Sequence, residues 1–240
     1  MPSTAGDSGF VISDLHIFAR SSLYERYLPL LEQAASRHKV VVLNGDTFDF
    51  KRSRFSGNSE TAREAAAWLS ALCLRHPETR FHYLLGNHDC VRPFVDDLRM
   101  LEKRCANLRL SEDTLKIGSS LFLHGDVCDL PPGQNDLSIL RRKYEQVQRS
   151  SLSIAFAQLV TYSRINFVEH LRHTRRALAA RIMEYLKAAH PDELASTERI
   201  YFGHTHVPFQ NFHYKGISFS NTGCAVRGLR LAPLTFPLPT

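Results

Sequence analysis

Apolar and polar positions alternate in two rhythms along the chain. In the first half, short unbroken apolar runs are separated by segments with helical spacing. Phe10–Ser13 (FVIS), Lys39–Leu43 (KVVVL) and Arg80–Leu85 (RFHYLL) predict buried strands. Between them, Tyr24–Arg37 places Leu28, Leu31 and Ala35 on one helical face, and Thr61–His76 does the same with Ala65, Leu69 and Leu72. Strand, helix, strand, helix, strand predicts a layered α/β arrangement. After Asn107 the runs shorten. Asn107–Leu110, Thr114–Ile117, Ser120–Leu123, Arg199–Phe202, Gln210–Tyr214 and Ile217–Ser220 predict short strands in antiparallel or mixed pairings. The expected core is two packed sheets with helices outside. Residues 133–195 read as almost entirely helical, opened by Pro131-Pro132-Gly133 and closed, at the last long helix, by His190-Pro191.

Composition narrows the class. The 240 residues are 43% hydrophobic and 22% charged, the balance of a globular chain able to bury a full core. Apolar runs fall short of a membrane span, and Met1–Gly9 lacks a basic region followed by an apolar stretch, so no secretory signal is expected. Five cysteines (Cys73, Cys90, Cys105, Cys128, Cys224) are odd in number and contain no C-x-x-C pair, which predicts a reduced, cytoplasmic protein. The net charge of +6 favours anionic partners. Four of those charges come from residues 133–195, where ten basic side chains face six acidic ones.

Five polar clusters sit where strands should end: Asp14-Leu15-His16, Gly45-Asp46-Thr47-Phe48-Asp49, Gly86-Asn87-His88-Asp89, His124-Gly125-Asp126 and Gly203-His204-Thr205-His206. Strand carboxyl ends are where α/β sheets place ligands. These clusters supply carboxylate, imidazole and amide oxygen, a donor set suited to Mn²⁺, Fe²⁺ or Zn²⁺. There are more donors than one ion needs, so two adjacent divalent ions are expected. Such a pair clamps phosphate oxygens, acidifies a bridging water and holds it in line with the leaving group.

In this order the motifs resemble the calcineurin-like metallophosphoesterase superfamily, from residue 10 to about residue 224. The resemblance implies a two-sheet β-sandwich flanked by helices. It implies one metal, most readily Mn²⁺, on Asp14, His16, Asp46 and His206, and a second on Asp46, Asn87, His124 and His204, with Asp46 shared. His88 would stand over the leaving oxygen, oriented by Asp49 or, as a weaker alternative, by Asp89. Asp126 is read as a cap or turn residue, and His38, His76, His82, His170, His173, His190 and His213 as surface or packing residues.

The 79 residues between His124 and His204 are long for the superfamily and resemble the helical cap of UDP-2,3-diacylglucosamine pyrophosphohydrolases. That group usually carries Arg at the position of His88; Gly-Asn-His-Asp is the general phosphatase form. The expectation is one domain over 1–240 with a helical cap at about 133–195. It hydrolyses a phosphomonoester or pyrophosphate bond, with a nucleotide-lipid diphosphate as one substrate form and the inner membrane face as a site of peripheral contact. Asn87, Arg141, Arg142, Tyr144, Arg172, Arg175 and Arg176 are the expected substrate contacts. Ile165, Val168, Leu171, Leu178, Ile182 and Leu186 form an apolar face that either packs on the sandwich or takes an acyl chain. A phosphodiesterase or nuclease on the same scaffold and a non-catalytic scaffold are the competing readings; no aromatic-interleaved basic groove supports nucleic acid.

Overall fold

The computed structural model describes residues 8–131, 133–145 and 174–239. Two five-stranded sheets face each other. In the first, β1 (Ser8–Ile12), β2 (Val40–Asn44), β3 (Arg80–Leu84) and β4 (Leu108–Ser111) run parallel in that order. The last strand of the chain, β10 (Leu234–Pro237), pairs antiparallel with β1 at the edge. The second sheet has the order β5 (Thr114–Ile117), β6 (Ser120–Leu123), β7 (Arg199–Phe202), β9 (Ile217–Asn221), β8 (Phe209–Tyr214). Its inner strands β6, β7 and β9 are parallel, and its outer strands β5 and β8 are antiparallel to their neighbours.

The unbroken apolar strands follow from burial on both faces. Along β2, Val40 and Val42 point at the second sheet, where they share a core with Val11, Phe122, Tyr201 and Phe236. Val41 and Leu43 point the other way, towards α1 (Leu28–Arg37) and α2 (Asn58–Arg75). The second sheet repeats the scheme. Phe122 faces inward, while Leu121 and Leu123 meet Leu178, Ile182 and Leu186 of the helix Arg175–Ala189. That helix therefore buries its apolar face on the sandwich. Ile165, Val168 and Leu171, the earlier part of the same expected face, lie outside the described residues, as do Arg172, His170 and His173.

Two elements depart from the sequence expectation. The helix Arg92–Arg104, named α3, and strand β10 had no counterpart in the reading. α3 is mostly charged on its outer face, while Phe94, Val95 and Leu98 are all buried, and Phe94 packs among Phe48, Phe50 and Tyr83. Full burial of one such ring is worth roughly 1.5–3 kcal/mol. α3 also carries the chain from β3 to β4, so β4 joins the first sheet in parallel instead of beginning an antiparallel set. Within residues 133–195, α4 (Leu137–Glu145), α5 (Arg175–Ala189) and α6 (Pro191–Ala195) are helical. Among the described residues, no helix is long and apolar enough to cross a membrane. All five cysteines are free thiols.

Candidate metal centre

β1, β2, β3, β6 and β7 end at the same rim, and the five polar clusters follow those ends. Asp14, His16, Asp46, His204 and His206 all hold positive φ, between 47° and 61°. Non-glycine residues reach this region at a cost, and such strain concentrates at functional sites. The loops are tied across the strand ends. Asp14 N–H donates to the Gly45 carbonyl and His16 N–H to the Asp46 carbonyl, each at 3.0 Å. Asn44 donates from its buried amide to the carbonyls of Leu123 (3.1 Å) and Tyr201 (3.3 Å), which locks the two sheets together beneath the site.

The donors expected for one ion meet. His206 Nε2 is 3.3 Å from Asp14 Oδ1, and His16 Nε2 is 3.8 Å from that same oxygen and 3.9 Å from Asp46 Oδ2. Beside them, His124 Nε2 is 3.4 Å from Asp46 Oδ2 and 3.2 Å from Asn87 Oδ1, and His204 Nδ1 is 3.1 Å from Asn87 Oδ1. Asp46 Oδ2 therefore faces both groups. Donors held roughly 2.0–2.2 Å from one ion stand about 2.8–4.4 Å apart as the angle between them opens from about 90° to 180°, so both groups fit a divalent cation. His16 Nε2 is buried without a hydrogen-bond partner, an orphan that a cation would satisfy. The imidazoles are oriented from behind. His16 Nδ1 lies 3.1 Å from Asp49 Oδ2, His204 Nε2 lies 2.9 Å from Asp129 Oδ2, and His124 Nδ1 lies 3.3 Å from the Asn44 carbonyl.

The carboxylates and imidazoles shift one another strongly. Burial opposes charge on Asp46, yet the neighbouring His124 and His88 hold it well below the usual carboxylate range. Burial likewise disfavours a charged His124, but Asp46 outweighs it and pushes the imidazole up to about 10. His206 is also raised to about 10, against its burial, by Cys224 and Asp14.

His88 borders this cluster. Its backbone N–H donates to Asp46 Oδ1 at 2.8 Å, its Nδ1 lies 3.1 Å from Asp49 Oδ1, and its ring stands edge-on to His16. Burial pulls its pKa down to about 4, opposed by Asp49 and Asp46 and assisted by Lys51. Asp49 thus places one oxygen on each of two imidazoles, while Asp89 has another task. Its carboxylate accepts from Thr47 N–H (2.9 Å), Gly86 N–H (2.6 Å) and Tyr83 Oη (2.7 Å), joining the β2 and β3 loops.

The expected substrate contacts are spread out. Arg141 is committed to Asp126 through Nε (2.9 Å) and Nη2 (3.2 Å), and Nη2 also donates to the Leu85 carbonyl. Asp126, read as a turn residue, is fully buried in this pair. Arg142 folds onto Ser138 of its own helix. Arg175 lies over the Phe209 ring and Arg176 over Tyr214, both on β8. Tyr144 does reach the centre: its hydroxyl donates to Asp129 Oδ2, the carboxylate that also meets His204.

Three contributors gave no signal in the sequence. The Lys51 ammonium sits 3.8 Å above the Tyr144 ring and feels the charges of Asp46 and Asp49. Asn221 donates to the Gly203 carbonyl (2.6 Å) and Thr205 Oγ1 (3.1 Å), fixing the Gly-His-x-His turn. Cys224 is buried beside His16 and His206. A spatial cluster of singletons leaves no spacing to read.

Three solved structures resemble the chain, and the first of them supports the architecture. A dimetal phosphatase from Danio rerio aligns over 97% of this chain and 92% of its own, with a TM-score of 0.51 and 12% identity. A phosphopantetheinyl hydrolase from Mycobacterium tuberculosis aligns over 93% and 92%, at 15% identity and TM-score 0.42. A nuclease from Pseudomonas putida aligns over 48% and 52%, at 19% identity and TM-score 0.34. No curated protein matches the sequence. The family model for calcineurin-like phosphoesterases matches residues 10–208, and with the donor geometry above it makes this chain a member of the calcineurin-like phosphoesterase family.

Proposed function

We propose that the protein hydrolyses a phosphomonoester or pyrophosphate bond of a small anionic substrate held between the metal centre and α4. The observation that carries this reading is Asp46 Oδ2 facing His16 Nε2 on one side and His124 Nε2 on the other. Two divalent ions in these positions, Mn²⁺ among the fitting choices, would supply charge to the phosphate oxygens and an acidified water as nucleophile. Asp14, His16 and His206 would hold one, Asn87, His124 and His204 the other, with Asp46 between them.

The remaining steps belong to the chain. His88 faces the leaving oxygen and stabilises or protonates it through Nε2, while Asp49 Oδ1 lies 3.1 Å from Nδ1 on the other side of the ring. Lys51, poised on Tyr144, adds a cation for a further phosphate oxygen. α4 forms a roof, with Arg141 on Asp126 and Tyr144 on Asp129. A roofed site with an extra cation suits a small phosphorylated molecule or a nucleotide diphosphate, including the nucleotide-lipid form, and a peripheral position on a membrane would follow for that form alone.

A turnover screen over phosphate esters, nucleotide diphosphate sugars and cyclic nucleotides with Mn²⁺ identifies the class. Asp46→Ala and His124→Ala should each abolish metal-dependent turnover of the best substrate. Full activity in both variants would refute the reading.

A further inference from the structure

Cys224 lies in the turn after β9 and is fully buried. Its surroundings leave it little room to move. Its N–H donates to the Arg230 carbonyl at 3.0 Å, and the next residue, Ala225, donates to the Asp14 carbonyl at 3.0 Å. The preceding Gly223 has φ +76°, and a Cβ there would collide with the Arg230 carbonyl. The turn is thereby stitched to the strand end that carries Asp14.

The thiol is the only part of Cys224 with chemistry to offer, and it points into the centre. Sγ and one ring nitrogen each of His16 and His206 all lie within 4.8 Å of one another. His206 Nε2 also meets Asp14 Oδ1 at 3.3 Å, so the same pocket gathers a carboxylate, two imidazoles and a sulfur. The Val226 N–H donates to Sγ at 3.4 Å, a bond that suits a sulfur carrying negative charge. His16 Nε2, buried without a hydrogen-bond partner, is an independent sign that this pocket suits an ion.

We propose that Cys224 is an additional, thiolate donor to the cation held by Asp14, His16 and His206. This rests on the dinuclear reading and deepens it. On binding, a sulfur–metal bond forms and the thiol proton leaves to solvent. Thiolate is a soft ligand and Asn87, on the opposite side, a hard one, so the two positions differ in kind. The Cys224 position would prefer Zn²⁺ or Fe²⁺, and the Asn87 position would accept Mn²⁺ or Mg²⁺.

The test uses the full chain, stripped of metal and reloaded with Co²⁺. The expected result is two cobalt ions per chain with a near-ultraviolet thiolate-to-cobalt charge-transfer band. That band should persist in Cys90→Ser and vanish in Cys224→Ser, with cobalt affinity at one position lowered at least tenfold. Two bound cobalt ions without the band, or a band that survives in Cys224→Ser, would overturn the assignment. A wild-type chain that takes up no cobalt would instead remove the dinuclear reading, and the thiolate with it. Should Cys224→Ser fail to fold, cadmium-113 resonance of the wild-type protein decides: one of two signals shifted downfield by sulfur supports the proposal, and two signals both in the oxygen and nitrogen range oppose it.

Discussion

Arg141 grips Asp126 with two guanidinium nitrogens, at 2.9 and 3.2 Å, in an almost water-free setting. The pair joins α4 to the turn that follows His124. Asp126 is kept below its ordinary pKa, because Arg141 and His124 outweigh the effect of its burial. Removing one partner of a buried pair leaves the other charge uncompensated, at a cost of about 3–5 kcal/mol. Arg141→Met should lower stability by that order, and adding Asp126→Leu should recover much of the loss. Denaturant unfolding of the three proteins checks this; a single Arg141→Met variant as stable as wild type would mean that the pair holds nothing down.

Gly86 is a second point where packing and chemistry coincide. A Cβ there would run into Asp46 Oδ1 and the Asp46 backbone nitrogen. Gly203 is placed likewise against Asp14 Oδ2 and Ser13. Gly86→Ala should therefore displace the shared carboxylate and cut the bound metal from two ions towards one or none. The sheets below should melt within a few degrees of wild type. Elemental analysis beside a thermal melt checks it; full metal content with full activity would show that the loop can yield.

Metal binding should be strongly pH-dependent. In the metal-free protein His124 and His206 stay protonated up to about pH 10, so a metal must displace their protons. Affinity should climb with pH through neutrality and level off only near pH 10. Calorimetry at pH 7 in two buffers of different ionisation enthalpy should report net proton release on loading, drawn from His16, His124 and His206 and, on the thiolate assignment, from Cys224. Uptake without proton release would contradict the electrostatic picture.

The parts of the fold written locally could be read from the sequence. Val40–Asn44 announced itself because both faces are covered, and the polar clusters stood out because each follows an apolar run. α3 escaped although Phe94, Val95, Leu98 and Leu101 recur at helical spacing, because the charged residues among them make the segment polar on average, and Phe94 is anchored by rings from two distant segments, Phe48–Phe50 and Tyr83. β10 escaped because an edge strand of four residues is defined by its partner β1. At the site, residues in motifs were legible, whereas Lys51, Asn221 and Cys224 became visible only when the turns closed on them. The arginines show the converse. Their charge was evident, but whether each meets Asp126, Ser138 or an aromatic ring is decided by packing.

His82 on β3 offers a test of stability away from the metal centre. Burial lowers its pKa to about 4, with help from the charges of Arg80 and Arg109, and its Nδ1 has no hydrogen-bond partner. In the unfolded chain a histidine titrates near 6.5. Between these values the unfolded state binds the extra proton, so stability is fully present above about pH 6.5 and drains away as pH falls towards 4. With solvent screening, the loss is on the order of 1–2 kcal/mol. Gln at this position keeps the polar character without the titration. Metal-free wild type and His82→Gln should therefore converge in relative stability as pH drops from 7.5 to 4.5, the variant losing less. Parallel melting curves at all pH values would show that His82 carries no such penalty.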